Sequence, residues 1–409
     1  MEKIRVLHTA DIHIGIENYG HINPDTGLNT RMEDFLKAFD IIIDHAINND
    51  FDIVIFAGDA FKVQSPNATH QREFAKRVYR LANAKIKTVL LAGNHDLSNR
   101  YGEATSMDVY GALKLDNVVV IERPQFFQLE TKRGKAQILA IPYVSKSAML
   151  TNEEYKMKTS DEIDRILIQK ISDLIDNYIL KSDPLLPFIF TFHAGIDVAK
   201  LGAETSLVVG KTFSVPLSVV ARKEFDYVAL GHIHLHQILT QYPPVVYSGS
   251  IERVDFGEEG QDKGFMTIEL EKGNTSYEFQ KLPSREFITI DVEIDENQEP
   301  NIEIIAAIRK KEIKGAVVRL RYTIDNANNH LVDDKKIRDE LKETFYYMIK
   351  PTVLDKSERI RDPELNESVG LDPIQALEKY ISLNLALINK KDDLLDRAKL
   401  IMTGEETLK

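Results

Sequence analysis

The chain has 409 residues, 43% hydrophobic and 28% charged, with a formal net charge of −12 at neutral pH. This length suggests roughly two to three domains with sizeable cores, and the acidic balance argues against a generally basic nucleic-acid coat while leaving room for a local basic groove. There is no cysteine, which excludes disulfides, thiolate zinc sites and a cysteine nucleophile, so any metal must sit on nitrogen and oxygen donors.

In chain order, Ile4-Arg5-Val6-Leu7 reads as a strand leading to Asp11-Ile12-His13. No signal-peptide core is expected behind Met1-Glu2-Lys3-Ile4-Arg5, and no apolar run approaches the ~20 residues of a membrane span. The expectation is a cytoplasmic protein without a membrane segment. Residues 31–48 read as a helix with Phe35, Phe39, Ile42, Ile43 and Ala46 on one face. Ile53-Val54-Ile55-Phe56-Ala57 then runs into Gly58 and Asp59. The run is β-branched and aromatic and too short for a helix, so it predicts a strand buried on both faces. Residues 68–82 form a second helix, with Arg72, Lys76 and Arg80 at successive i,i+4 spacings. That stripe is either a solvated face or a contact for an anionic polymer.

Thr88-Val89-Leu90-Leu91 leads to Gly93-Asn94-His95-Asp96. Residues 107–115 suggest a short helix. Residues 118–121, 125–129 and 137–141 suggest short strands, and with them a second, more antiparallel sheet. A strong amphipathic helix is expected over 161–180. Phe188-Ile189-Phe190-Thr191-Phe192 ends at His193, and Tyr227-Val228-Ala229-Leu230 ends at Gly231-His232-Ile233-His234. Between them, 199–212 reads as a loop and 215–223 as a short helix. Strand pairs continue to about Lys281, and Pro283-Ser284 marks a boundary. Beyond it the expected order is strand 287–294, helix 301–311, strand 316–324 and helix 333–348, a compact α+β unit. Arg319 and Arg321 share one strand face there, as phosphate contacts or as plain surface arginines. Residues 354–370 read as a charged linker. Residues 373–389 predict a helix striped by Leu377, Ile381, Leu385 and Ile388, and Leu394, Leu395, Ala398 and Ile401 begin another.

Five strand-like runs therefore each end in Asp, Asn or His. In an open α/β sheet such ends converge on one crevice, where ligands bind. A two-metal hydrolase needs oxygen and nitrogen donors, a carboxylate able to bridge, and open positions for water and substrate. Asp and His suit Mn, Fe or Zn.

The order Asp-x-His, Gly-Asp, Gly-Asn-His-Asp, His, Gly-His-x-His resembles the calcineurin-like metallophosphoesterases. Within them, Leu7 to His13, Ala92 to Asp96, Gly231 to His234 and Tyr247-Ser248-Gly249-Ser250-Ile251 look like the SbcD-type nucleases of DNA double-strand-break repair. The resemblance implies an α/β fold with a four-layer α-β-β-α core over residues 1–282. It implies a small α+β DNA-capping domain over 283–352, and a linker and C-terminal helices over 353–409 that bind a coiled-coil ATPase of the SbcC type. It implies two Mn²⁺ ions, with Mg²⁺, Fe²⁺ or Zn²⁺ as alternatives. Asp11, His13 and His234 would hold one metal, Asn94, His193 and His232 the other, and Asp59 would bridge them. His95 would be the catalytic residue, protonating the departing 3′ oxygen or stabilising the phosphorane-like charge, with Asp96 orienting it. The implied activity is exonuclease on double-stranded ends and endonuclease on single strands or hairpins, in repair, recombination and replication. A homodimer is implied through helices near the site. One departure concerns Lys62, which stands where many relatives carry a histidine shortly after the bridging aspartate. Lysine binds phosphate as a point charge but does not shuttle protons at neutral pH, which leaves the balance of exonuclease and endonuclease action open. Candidate DNA contacts are Lys62, Arg72, Lys76, Arg319 and Arg321. The alternative is a phosphatase or phosphodiesterase with the same core acting on a small molecule or phosphoprotein.

Overall fold

Strands that are apolar at every position have no face to offer water, so they must be covered on both sides. The computed structural model describes residues 2–97, 104–146, 155, 158–200, 213–354, 373–383 and 387–403. In chain order the elements are β1 (Ile4–Thr9), α1 (Thr30–Asn48), β2 (Ile53–Phe56), α2 (Ala68–Asn83), β3 (Lys87–Leu91), α3 (Asp108–Ala112), β4 (Val118–Ile121), β5 (Gln125–Thr131), β6 (Gly134–Ile141), α4 (Ser160–Ile179), β7 (Phe188–His193), β8 (Gly195–Ile196), β9 (Ser214–Val215), α5 (Leu217–Val220) and β10 (Tyr227–Gly231). They continue with β11 (Gln237–Gln241), β12 (Pro244–Tyr247), β13 (Gly264–Leu270), β14 (Ser276–Lys281), β15 (Phe287–Glu293), α6 (Pro300–Arg309), β16 (Val317–Asp325), α7 (Asp334–Glu340), β17 (Tyr346–Leu354), α8 (Pro373–Leu383) and α9 (Lys391–Thr403).

Two six-stranded sheets form the core, in the orders β14-β13-β1-β2-β3-β4 and β11-β12-β10-β7-β6-β5. β1 to β4 are parallel to one another, as are β12, β10, β7 and β6. The antiparallel strands lie outside these parallel sets. The expected antiparallel second sheet is therefore corrected in two respects. β4 belongs to the first sheet, beside β3, and β6 is the parallel neighbour of β7. Of these three strands only β5, joined to β6 through the tight turn at Thr131–Gly134, runs against its partner. A short apolar strand does not reveal which sheet its neighbours will recruit it to, because periodicity reports faces and not partners.

Alternate residues of each strand enter different cores. Ile53, Ile55, Val89 and Leu91 meet Ile138, Ala140, Ile189 and Ala229 between the sheets. Val54, Phe56 and Leu90 pack under Phe35, Phe39, Phe74 and Val78 of α1 and α2. Leu139, Phe190, Val228 and Leu230 pack under Ile171 and Ile175 of α4 and Val219 and Val220 of α5. Three apolar layers between four sets of elements make the α-β-β-α sandwich expected from the resemblance. The helices start where their chemistry directs: Asn29 and Asn67 cap α1 and α2, and Thr159 with Glu162 forms a capping box on α4.

β15, β16 and β17 form a three-stranded sheet in that order. The helix expected over 333–348 stops at Glu340, and Tyr346–Leu354 is a strand instead. Phe345-Tyr346-Tyr347-Met348-Ile349 is aromatic and β-branched, which suits a pleated surface, and the Phe345 amide is already bonded to the Ala316 carbonyl at 2.9 Å. The loop expected at 199–212 and the linker expected at 354–370 fall mostly outside the described residues. Ile381 of α8 is buried and Leu377 half-buried, Ile388 is exposed, and Leu385 lies outside the described residues. α8 packs on α9. The chain divides into two compact units, one of Met1–Val292, Asn301–Tyr322 and Asp333–Lys350, the other of Glu293–Pro300, Thr323–Val332 and Pro351–Lys409. Among the described residues no helix is long and apolar enough to cross a membrane.

Burial of both strand faces has a measurable signature. Ile55→Ala, in the layer between the sheets, and Leu90→Ala, under the helices, should each lower unfolding stability by about 2–5 kcal/mol. Urea titration giving a large loss for one and none for the other would show that one face is not a core.

Candidate metal centre

The parallel strands of both sheets end along one crest. There the backbone leaves ordinary strand geometry. The Asp11 amide bonds the Gly58 carbonyl at 3.0 Å, and the Ile12 and His13 amides bond the Asp59 carbonyl at 2.9 and 3.1 Å. The loops after β1 and β2 thus stay coupled beyond the strands. Asp11, His13, Asp59 and His232 all have positive φ, at 52°, 50°, 56° and 103°. Non-glycine residues rarely adopt this region, and such strain persists only where the surroundings over-determine it. Glycine appears where a side chain would strike the site. A Cβ on Gly58 would lie 2.0 Å from His193 Nδ1, and one on Gly93 would lie 2.1 Å from Asp59 Oδ1.

All seven sequence-predicted ligands meet here. The donor atoms of Asp11, His13 and His234 lie within 4.8 Å of one another, as do those of Asp11, Asp59 and His193. Three histidines have one ring nitrogen committed outward: His13 Nδ1 toward the Phe61 carbonyl at 3.4 Å, His193 Nδ1 toward the Ala57 carbonyl at 2.7 Å, and His234 Nδ1 toward Glu258 Oε1 at 2.7 Å. Donating outward turns each Nε2 inward, as a lone pair on neutral His13 and as a proton-bearing nitrogen on His193 until that proton is displaced. His13 Nε2 and His234 Nε2 face each other at 2.9 Å. Asn94 Oδ1 lies 3.1 Å from His193 Nε2 and 2.9 Å from His232 Nδ1. Asp59 Oδ2 stands between the two groups, 3.8 Å from His13 Nε2 and 3.5 Å from His193 Nε2. Acceptors pointed at acceptors in a buried site repel unless a proton or a cation lies among them. The donor set of carboxylate, imidazole and amide oxygen fits a pair of divalent cations of the Mn, Fe or Zn class.

Charge within the cluster is unevenly shared. Burial pushes the Asp11 carboxyl up to about 7 against the pull of His193 and His234, with Asp59 adding to the push. Burial opposes ionisation of Asp59 too, but His193, His13 and His95 outweigh it and hold its carboxyl below the usual range. Burial also disfavours a charged His193, yet the Asp59 and Asp11 carboxylates raise it to about 9. Burial lowers His13 and His232, which stay neutral.

His95 differs from the seven. It is one-third exposed, its Nε2 is 4.0 Å from Asp59 Oδ2 and its amide bonds Asp59 Oδ1 at 2.9 Å. Its ring therefore borders both the cluster and the opening. The expected pairing with Asp96 is corrected. The buried Asp96 carboxylate accepts from the Ala60, Phe61 and Gly93 amides at 3.2, 3.2 and 2.9 Å. It staples the loop after β2 to the loop after β3, and it acts on His95 only through the backbone. Lys62 lies close enough to influence His13 and His95 electrostatically.

The other basic residues singled out in the sequence have contacts within the chain. Arg72 and Lys76 both bond Glu73 Oε1 at 2.9 Å, and Arg80 pairs with Asp40 and Asp44. Arg321 grips Asp291 with two bonds of 2.5 and 2.7 Å. Arg319 bonds Thr289 Oγ1 and covers the Phe256 ring. Two site residues escaped sequence reading altogether. Glu258 and Lys263 are a fully buried ion pair of 2.8 Å behind His234. A glutamate in a short Gly-rich turn gives no periodic signal.

The family model described as calcineurin-like phosphoesterase matches residues 4–236. The DNA double-strand break repair protein Mre11 of Archaeoglobus fulgidus is 22% identical over 354 residues, 82% of this chain and 72% of that protein. The SbcD component of the nuclease SbcCD of Escherichia coli K12 is 26% identical over 66% of this chain and 66% of its own length. The metallophosphoesterase YhaO of Bacillus subtilis, named as uncharacterized, is 26% identical over 67% of this chain and 59% of its own length.

Cations must displace protons from groups whose affinity for them is raised, so metal uptake should release protons. With Asp11 at about 7 and His193 at about 9, Mn²⁺ affinity should rise from pH 6 to pH 8. Calorimetry in buffers of different ionisation enthalpy reads the protons directly. Affinity that is flat across this window, with no proton released, would contradict the charge distribution.

Proposed function

The chain belongs to the calcineurin-like phosphoesterase family, and from that premise we propose that it is a two-metal DNA nuclease, the catalytic component of an SbcCD-type complex. The observation that carries this reading is the run of similarity to Mre11, which covers 82% of the chain where the family model covers residues 4–236. The Asp, His and Asn cluster supports the metal part of it.

In this reading Asp11, His13 and His234 would hold one cation, Asn94, His193 and His232 would hold the other, and Asp59 would be shared between them. Manganese is the proposed metal. The cations, when bound, lower the pKa of a water nucleophile and neutralise developing phosphate charge. The chain's own residues do the rest. Outward hydrogen bonds fix the imidazoles, the Asp59 carboxylate offsets charge between the two subsites, and Asp96 keeps the two loops in register. His95, open on one edge, donates a proton to the departing 3′ oxygen. Lys62 is the proposed phosphate contact at the rim, with Arg72, Lys76, Arg319 and Arg321 as further candidates. A second reading, a phosphatase for a smaller ester, is favoured by the internal pairing of Arg72, Lys76 and Arg321.

Manganese-dependent assays on linear duplex, hairpin DNA, single-stranded circles and para-nitrophenyl phosphate separate the readings. Cleavage of duplex ends and hairpins is expected. Turnover of the small ester alone would favour the phosphatase. His95→Asn should keep both metals and lose ~10²–10⁴-fold in turnover, the usual share of a general acid. Metal content falling in step with activity would make His95 a ligand. Lys62→Ala in the same panel should shift the ratio of end to hairpin cleavage.

The proposed partners are DNA and an ATPase with coiled coils, the latter docked on the segment that carries Leu377, Ile381, Leu385 and Ile388, of which Ile381 is already buried within the chain and Ile388 is exposed, and the enzyme is proposed to act as a homodimer. An apolar helix face of this kind suits a groove on a partner helix. A chain ending at Asp355 should lose the ATPase while keeping manganese-dependent cleavage. Undiminished co-purification of that shortened chain would exclude the tether, and sedimentation of the full chain as a monomer would exclude the dimer.

A further inference from the structure

Behind His234 lies a polar bracket that the metal ligands alone do not explain. Glu258, fully buried, ends the short 3-10 turn Phe256–Glu258. Its Oε1 accepts a hydrogen bond from His234 Nδ1–H at 2.7 Å, and its Oε2 accepts from the Val254 amide at 2.9 Å and from Lys263 Nζ at 2.8 Å. Lys263 is itself buried, and its ammonium also reaches the His234 carbonyl at 3.1 Å and Ser250 Oγ at 2.9 Å. The Ser250 amide bonds the same carbonyl at 3.1 Å. His234 is thus clamped at its ring by Glu258 and at its backbone by Lys263 and Ser250. A buried carboxylate and ammonium are expensive to desolvate, and a packed apolar pair of the same volume often does as well for stability. Their worth here lies in what they hold.

The same turn also reaches the three-stranded sheet. Glu259, next in the chain, accepts from the Thr289 amide at 2.8 Å and the Thr289 hydroxyl at 2.6 Å, on β15. Phe256, at the other end of the turn, meets Phe287 of β15 edge-to-face at 5.0 Å and Tyr19 at 5.5 Å. Consecutive residues therefore bind the sheet on one side and the ligand ring on the other.

We propose that Glu258 is a positioning residue for His234: it fixes the Nδ1–H tautomer, aims Nε2 at the subsite of Asp11 and His13, and ties that subsite to β15. The proposal deepens the two-metal reading and rests on it for its metal consequences. The tautomer can be read without any metal. A carboxylate that orients a metal-binding histidine typically accounts for ~10–100-fold in metal affinity. With the ring freed, the metal held by Asp11 and His13 should weaken and the one held by His193 and His232 should not.

The variants are Glu258→Gln, which keeps an acceptor for Nδ1–H, and the double change Glu258→Met with Lys263→Met, which removes both buried charges and keeps volume. Three measurements are made on the full chain: histidine ¹⁵N chemical shifts without metal, Mn²⁺ titration followed by electron paramagnetic resonance, and thermal melting. The double variant is expected to fold, to lose the Nδ1–H signature of His234 and to weaken one Mn²⁺ by ~10–100-fold. Its spectrum should change from a spin-coupled pair to a single ion, with Glu258→Gln intermediate. An unchanged tautomer, or two Mn²⁺ bound as tightly as before, would overturn the proposal. Equal loss of both ions alongside a collapsed melting temperature would reduce Glu258 to a fold-stabilising residue and overturn it too. If the unaltered chain fails to bind two Mn²⁺ while the tautomer still depends on Glu258, the two-metal reading falls and the positioning role stands.

Discussion

The crowding of seven polar donor groups at the ends of two apolar sheets is the condition on which the rest of this structure depends. The crest where the two sheets end gathers carboxylates, an amide oxygen and inward imidazole nitrogens at hydrogen-bond distance, with Asp11, His13, Asp59, His193 and His234 buried. Such a cluster does not hold together by itself. It is imposed by strands buried on both faces, whose ends have no freedom to separate, and by backbone carbonyls of Phe61 and Ala57 that hold the rings outward. The fold supplies the constraint, and the constraint supplies affinity for positive charge.

The strain is visible in the backbone. Four of the seven ligands sit at positive φ, a state that costs on the order of 1 kcal/mol or more for a residue with a Cβ. Hydrogen bonds between successive loops, from Asp11 and His13 to Gly58 and Asp59, offset it. Asp96 contributes by binding three amides at once. Its carboxyl, pushed up to about 7 by burial and by Asp59, shows what the stapling role demands of a group so close to another acid.

Much of this was legible from residue order. Runs such as Ile53 to Phe56 and Phe188 to Phe192 read as doubly buried strands, and their terminal Asp and His residues read as one site, because burial and strand ends leave a mark in sequence. Partnership does not. β4 was attributable to either sheet, since Val118 to Ile121 is apolar in both cases. Residues 333–348 carried a helical start, and the aromatic run after Thr344 that ends in a strand became decisive only once Ala316 was there to pair with it. Glu258 and Lys263 were invisible for a related reason. Their meaning comes from His234, 24 and 29 residues away in the chain, and from no local pattern. The basic stripe on α2 was legible as charge; Arg72 and Lys76 pair with Glu73 of the same helix, whereas the pairing of Arg80 with Asp40 and Asp44 depends on α1 beside it.

Gly58 and Gly93 carry one more implication. A single added methyl at either would fall at 2.0–2.1 Å from a side-chain atom of the cluster, so the floor of the crevice has no slack in either direction. Small substitutions there would break the site before they reshaped it. Room for change lies instead at the walls, where His95 is one-third exposed and Lys62 stands nearby. The unyielding floor and the more open wall are thus only a few residues apart in the chain, Asp59 beside Lys62 and Asn94 beside His95.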